Sequence, residues 1–310
     1  MDTGRRNRQW MVLGLIALTA GWRAVGQAPP DFEGIWNSAT ATPLERPARL
    51  KDKAYFTPQE AAQWERQAAA RNQDHPSESF ASYNGLFYEH GTKLTKGLRT
   101  SIVTDPADGR IPALTPAAAA EMKRRMELLR HPREAQDLGL QDQCITFATG
   151  VPMLPYIYNS NFQIIQTGDA VMINTEMIHD TRIIRMNRAT HVSGDVRQWL
   201  GDSVGHWEGA TLVVDTTNFK DHRGFFGDAG GIFAYDRNLH VVERFTLLDA
   251  DTMVYRFEID DPTAYTRPWK GELTMARTAG RMFEYACHEG NYALPDLLRG
   301  LEAAGGANKP

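Results

Sequence analysis

Apolar positions follow two different rhythms along this chain, and the change falls near Cys144. Before it, two segments carry helix signals. "TPQEAAQWERQAAAR" opens with Thr57 placed to cap, Pro58 in the first turn and Glu60 at the reciprocal capping position. "TPAAAAEMKRRMELLR" repeats the device with Thr115 and Pro116. There Met122, Met126 and Leu129 recur at helical spacing, which predicts an apolar face. Between the helices "DPADGRIP" reads as a turn, and Ser101 to Thr104 as a short strand. Residues 29–56 are proline-rich and read as extended and irregular, with Trp36 as an anchor onto the main domain.

After Cys144 the runs become short, β-branched and aromatic. "NFQIIQTGDAVMINTEMIHDTRIIRM" reads as successive strands broken at "TGD". "ATLVVDTTNF", "LHVVERFTLLDADTMVYRFEID", "GELTMAR" and "RMFEYACHE" follow, with turns at "EGA", "DAD" and "TAG". No glycine-rich loop opens a helix and strands do not alternate with helices, which argues against a doubly wound sheet. Successive hairpins predict a mainly β fold, an antiparallel barrel or a sandwich. The spacing suits a meandering barrel of about eight strands with flanking helices, a size that holds one small ligand. The expected organisation is an export signal over 1–28, an extended and helical region over 29–143 that packs on the barrel, a barrel core over 144–295, and a flexible tail over 296–310.

The first residues set the compartment. Arg5, Arg6 and Arg8 precede an apolar run from Met11 to Trp22, and "RAVGQAPP" then turns small and polar. That is the layout of a secretory signal peptide cleaved near Gly26 to Ala28, and the arginine pair also permits twin-arginine export. The run falls short of the roughly 20 apolar residues of a spanning helix, so no stable membrane insertion is expected after cleavage. The expected location is periplasmic or secreted. Residues 1–28 hold four arginines and one aspartate; without them 30 basic and 37 acidic residues remain, a formal charge of −7. With no basic tract, nucleic acid is not an expected partner. Exported chains commonly pair their thiols, so Cys144 and Cys287 are expected to form a disulfide; buried free thiols or a reactive cysteine are the alternatives.

Candidate chemistry concentrates between residues 176 and 218. If "VMINTEMIHDTRIIRM" is regular, alternation puts Asn174, Glu176, Asp180 and Arg182 on one face and His179 on the other. The acidic and basic trio then lines an interior cavity or forms a solvated ion pair. His191, in "RATHVSGDVRQW", is the better candidate for proton transfer because it falls on a loop at a barrel mouth. Trp199, Asp202, His206, Trp207, Asp215 and Asn218 are candidates for substrate contact, as are Tyr265 and His288. No "GxSxG" elbow surrounds Ser203, which disfavours a serine hydrolase. The histidines at 179, 191, 206, 222, 240 and 288 show no tight metal-ligand spacing, so neither a metal nor another cofactor is expected.

"RIIRMNRATH", "GDSVGHWEGATLVVDTTNF", "LHVVERF", "DDPTAYTRPW" and "YACHEGNY" resemble a large group of exported bacterial proteins of uncharacterised function. The resemblance runs from about Gly85 to Tyr292 and implies a β-rich domain, lipocalin-like or calycin-like in character. It transfers no catalytic residue. The functional expectation is an exported enzyme, for instance a lyase, acting on a small organic molecule by acid–base chemistry in a barrel cavity: elimination, isomerisation or hydrolysis. In it His191 or His179 moves the proton, Arg182 holds a developing anion, and Glu176 or Asp180 orients the base. The alternative is a non-catalytic periplasmic binding protein for a small hydrophobic or anionic ligand. Neither reading specifies an oligomeric state.

Overall fold

A computed structural model describes residue 1 and residues 29–50, 52–71, 91–147, 150–156, 159–187, 190–220, 224–226, 233–235 and 237–306. The expected export signal and His222 lie outside the described residues. In chain order the strands are β1 (Gly34–Asn37), β2 (Val103–Asp105), β3 (Asn161–Gln166), β4 (Ala170–Thr175), β5 (Thr181–Met186), β6 (Asp202–Glu208), β7 (Thr211–Thr217), β8 (Gly224–Phe226), β9 (Phe233–Tyr235), β10 (His240–Asp249), β11 (Thr252–Asp260) and β12 (Trp269–Thr278). The helices are α1 (Pro58–Arg71), α2 (Pro116–Arg130) and α3 (Ala293–Gly306). None of the described helices is long and apolar enough to cross a membrane.

Nine strands close a barrel in the order β1-β3-β4-β5-β6-β7-β10-β11-β12, with β12 pairing back onto β1. Short β1 is the closing strand: Trp36 stands opposite Phe162 on β3 and opposite Arg277 on β12. Strand β2 pairs with the start of β12, and β8 and β9 pair with each other. Every contact around the ring is antiparallel except one. β5 and β6 run parallel, Ile184 opposite Ser203 and Met186 opposite Gly205. The expected meander is therefore corrected to a mixed barrel. A hairpin would reverse the chain; here residues 187–201 carry it back to the starting end before β6 begins.

The inward positions are filled. Trp36, Phe162, Phe245, Tyr255, Trp269 and Leu273 have no accessible surface. Small inward residues make room for large ones: a Cβ on Gly271 would lie 2.2 Å from the Phe257 ring, and one on Gly205 would lie 2.7 Å from Ile184 and Met186. Trp36 is also tied down by its indole N–H, which donates to the Phe32 carbonyl at 2.9 Å, and it carries the Arg277 guanidinium over its ring.

Both helix starts follow the sequence. The Thr57 N–H donates to Glu60 at 2.8 Å and the Glu60 N–H donates to the Thr57 hydroxyl at 3.3 Å, a reciprocal cap for α1. The Thr115 hydroxyl accepts from the Ala118 N–H at 3.2 Å and caps α2. The apolar face expected on α2 is not what the helix buries. Met126 is 37% exposed, while Arg125 is buried and donates to the carbonyls of Gln136 and Leu138. The surface it meets is a turn rich in backbone acceptors, which suits a guanidinium better than a thioether.

Arg281 to Glu289 is not a strand, contrary to the alternation read from "RMFEYACHE". Both edges of β12 are already taken, so a closed ring offers no place for another strand. The segment instead forms turns, with the Cys287 N–H donating to the Tyr285 carbonyl. Cys144 and Cys287 are joined in a disulfide that ties this arm back to the segment before β3. The Phe283 N–H adds a second tie, donating to the Glu176 carboxylate at 3.0 Å.

Gly271→Ala is expected to destabilise the barrel by roughly 1–3 kcal/mol, because the Phe257 ring must leave its rotamer to admit the methyl group. Urea denaturation of the two proteins measures it. Equal midpoints would show that the ring has slack at this level.

Candidate functional site

The sequence candidates separate into three places. The first is the turn between β4 and β5. Glu176 to Asp180 do not continue the strand: Met177–His179 form a single 3-10 turn, with Ile178 and His179 at positive φ. Glu176, Asp180 and Arg182 therefore do not share a strand face, and that expectation is corrected. Glu176 is buried and accepts from the Asn161 amide at 2.7 Å as well as from Phe283. Asp180 accepts from the Thr146 hydroxyl at 2.5 Å, and burial raises its pKa against that bond, the Phe147 N–H and the His179 charge. His179 is exposed.

Arg182 points the other way, into the barrel. It sits on the same parity as Ile184 and Met186 and is 4% exposed. Its guanidinium forms a two-pronged ion pair with Glu243 of β10, the second contact at 3.1 Å. The Tyr255 hydroxyl donates to the same carboxylate at 2.7 Å and accepts from the Met153 N–H at 2.9 Å. Burial first, and then the Glu243 charge, push the Tyr255 hydroxyl well above its ordinary pKa, so it stays a donor. Among the described residues Arg182 Nε has no hydrogen-bond partner. The barrel thus encloses buried charged groups compatible with a small-molecule cavity.

The third place is the outer face. Register aligns Arg185, Val204, Asp215 and Val242 in one row across β5, β6, β7 and β10, opposite in parity to the core residues Ile184, Thr216 and Val241. The returning segment 190–201 lies along this face. His191, delivered by it, bridges two carboxylates: Nδ1 is 2.9 Å from Asp202 and Nε2 is 2.8 Å from Asp215. Asp202 also takes the Val192 N–H at 3.0 Å and two contacts from Arg185 at 2.8 and 2.9 Å. The other oxygen of Asp215 holds His240 Nε2 at 2.8 Å. The result is a continuous series, Arg185–Asp202–His191–Asp215–His240, spanning four strands and the returning segment. Asn218, at positive φ, pins that segment by donating to the carbonyls of Val192 and Ser193.

Charge is graded along the series. Burial works to raise the Asp202 carboxyl, but the Val192 N–H, His191 and Arg185 outweigh it and hold it below the usual range. Asp215 is likewise lowered, with burial overcome by His240 and His191. His240 is raised, chiefly by its bond to Asp215, against burial and with help from the charges of Asp215, Asp260 and Glu258. His240 side-chain exposure is 40%, and no described residue bonds its Nδ1.

The remaining candidates stand apart. His206 is exposed on β6 and pairs with Glu208 at 3.2 Å. Trp207 turns inward and packs on Phe32 with ring centres 5.6 Å apart. Trp199 lies under the Lys220 ammonium at 5.0 Å. Tyr265 is buried edge-on against Trp269. His288 is exposed on the C-terminal arm. Among the described residues no three His, Cys, Asp or Glu side chains are grouped to hold a metal ion. The sequence raised His240 only among possible metal ligands and did not single out Glu243. Glu243 had a signal: it occupies the apolar parity of Val241 and Phe245.

Comparisons with family models, curated proteins and solved structures give no match. The closed barrel itself is consistent with the calycin and lipocalin superfamily.

Two outcomes follow from the electrostatics. Glu243→Gln should destabilise the fold by roughly 3–5 kcal/mol, because it leaves a buried guanidinium without its counter-charge, and Arg182→Met combined with Glu243→Met should recover most of the loss. Denaturant titration of the single and double variants checks this. Asp202 and Asp215, with lowered folded pKa values, contribute stability above the unfolded carboxyl value of 3.8 and lose it as pH falls through their folded values. His240, with a raised value, contributes fully below the unfolded imidazole value of 6.5 and loses it as pH rises through its folded value. Asp215→Asn should therefore destabilise most between pH 3.8 and 6.5, with the difference from wild type shrinking on both sides. Denaturation midpoints across that range test it.

Proposed function

We propose that the protein is an exported enzyme that acts on a small organic molecule by side-chain acid–base chemistry, and that His240 is its proton-transfer group. The observation that carries this is the Asp215–His240 pair: a carboxylate holds Nε2 of a part-exposed imidazole whose Nδ1 no described residue occupies. Asp215 fixes the tautomer with Nε2 protonated and leaves the Nδ1 lone pair for a substrate proton. When Nδ1 takes that proton, the ring becomes a cation beside a carboxylate held ionised at neutral pH. Elimination, isomerisation and hydrolysis all begin with such a transfer. What supports the exported location is the basic, apolar and small-residue order of residues 1–28 together with a disulfide suited to an oxidising compartment. The quoted motifs support kinship with exported bacterial proteins of lipocalin-like character.

One observation favours binding without turnover. The Nε–H of Arg182 is buried and bonded by no described residue, and an acceptor on a ligand entering the barrel would satisfy it. On that reading ligands bind, are released unchanged, and bind less well to Arg182→Met.

Turnover of a panel of esters, lactones and β-substituted carbonyl compounds separates the readings. His240→Ala should lower kcat by roughly 100-fold or more, and the exposed His131→Ala should not change it. The limb of the rate profile controlled by His240 should lie above pH 6.5, rising with pH if the ring acts as a base. Unchanged turnover in His240→Ala would remove His240 from the chemistry.

A further inference from the structure

His240 does not have Asp215 to itself. The carboxylate presents one oxygen to His240 and the other to His191, each at 2.8 Å. A carboxylate oxygen only accepts, so both imidazole nitrogens that face it must donate. His191 is in the same position at its other nitrogen, where Asp202 accepts at 2.9 Å. For both of its contacts to be hydrogen bonds, His191 must carry a proton on each nitrogen and hence a positive charge. That charge is held against the same carboxylate that stabilises a proton on His240.

We propose that His191 is a positioning residue for His240: by occupying the second oxygen of Asp215 it turns the carboxylate toward His240 and, as a competing cation, limits how tightly His240 holds its proton. This rests on the acid–base reading of His240 and names what regulates it. A carboxylate beside an imidazole favours the protonated ring. Sharing the carboxylate between two rings brings the working ring back toward the solution pH, where proton transfer in both directions is fastest.

The surroundings are consistent with that division. Around His240 the charged groups are Asp215 on β7, its cross-strand neighbour Asp260 and diagonal neighbour Glu258 on β11, and Lys270 on β12, which is paired with Glu258. Around His191 they are Asp202 on β6, Arg185 on β5 and Asp215. Arg197 on the returning segment spends its guanidinium on the carbonyls of Phe219 and Arg237. His191 is therefore the described cation that contacts the carboxylate used by His240. Because it arrives on the segment that the parallel β5–β6 pairing requires, the tuning exists only when that segment is seated.

The test needs no substrate. The ring protons of His240 and His191 are followed by NMR from pH 4 to 9 in the full-length wild type, His191→Gln, Asp215→Asn and Asp202→Asn. His191→Gln should raise the His240 midpoint by roughly half a pH unit or more, because a like charge has been removed. Asp215→Asn should lower it. Asp202→Asn keeps the His191 ring but weakens its charge, and should shift His240 upward by a smaller step. A His240 midpoint that is unchanged or lower in His191→Gln, in a protein with native amide dispersion, would overturn the proposal. The acid–base reading fails separately, by unchanged turnover in His240→Ala, and is untouched by these titrations.

Discussion

One parallel contact shapes the working surface of this molecule. Eight of the nine pairings around the barrel are antiparallel, but β5 and β6 point the same way. The chain must return along the outside, and that return brings backbone polar groups onto a sheet face that has already satisfied its own. They find partners one by one. The Asn187 N–H donates to the Gly205 carbonyl, the Gln198 N–H donates to Asn218, and Asn218 in turn donates to the carbonyls of Val192 and Ser193. Arg197 caps two further carbonyls. His191 completes the attachment by joining β6 to β7 through Asp202 and Asp215. One residue belongs to both arrangements: Asp215 holds the returning segment through His191 and holds His240 with its other oxygen. That overlap explains why a purely structural role and a chemical one must be separated by a titration, since both predict that the contacts exist.

How much of this was legible in the sequence depends on range. Local signals carried well. The caps at Thr57 and Thr115 stand where the sequence placed them, and the strands after Cys144 follow the turns at "TGD", "EGA" and "DAD". His191, Asp202, Asp215 and Asn218 were all visible as candidates, but their convergence was not. It depends on a parallel pairing, and two-residue alternation is blind to strand direction. The turn at Glu176 to Asp180 was missed for a related reason: its β-branched and apolar residues keep a strand-like composition while Ile178 and His179 take positive φ. "RMFEYACHE" has every local mark of a strand and is not one, because ring closure left it no edge to join. His240 hid in an ordinary strand opening. Glu243 did not have to: a carboxylate in phase with Val241 and Phe245 demands a buried cation, and Arg182, in phase with Ile184 and Met186, is the matching anomaly.

The Arg182–Glu243–Tyr255 cluster and the outer series answer different demands. Inside, the groups are fully enclosed, and their bonds fix which strands stand opposite one another more than they add net stability. An apolar core tolerates a shifted register; a two-pronged ion pair with a tyrosine on the same carboxylate does not. Outside, the groups are part-exposed and their charges respond to solution pH. Thr216 lies inward between them, with its hydroxyl bonded to Ser203, so the wall separating the two sets is a single strand, β7.

The disulfide closes residues 144–287 into one covalent loop that contains every strand from β3 to β12, and β1 lies outside it. The four residues Gly34–Asn37 therefore complete the wall from outside that loop, joined to it only through the backbone that leads to Cys144. Lifted away, they would leave β3 bare along one side and β12 bare along part of the other, two rows of unanswered N–H and C=O groups on a sheet that the disulfide keeps from dispersing. Such a sheet recruits a strand from elsewhere, and in a crowded solution the nearest strand belongs to a second copy. The clasp at β1 is thus what covers both of those edges, and Trp36, wedged inward from its middle, is the residue that holds it shut.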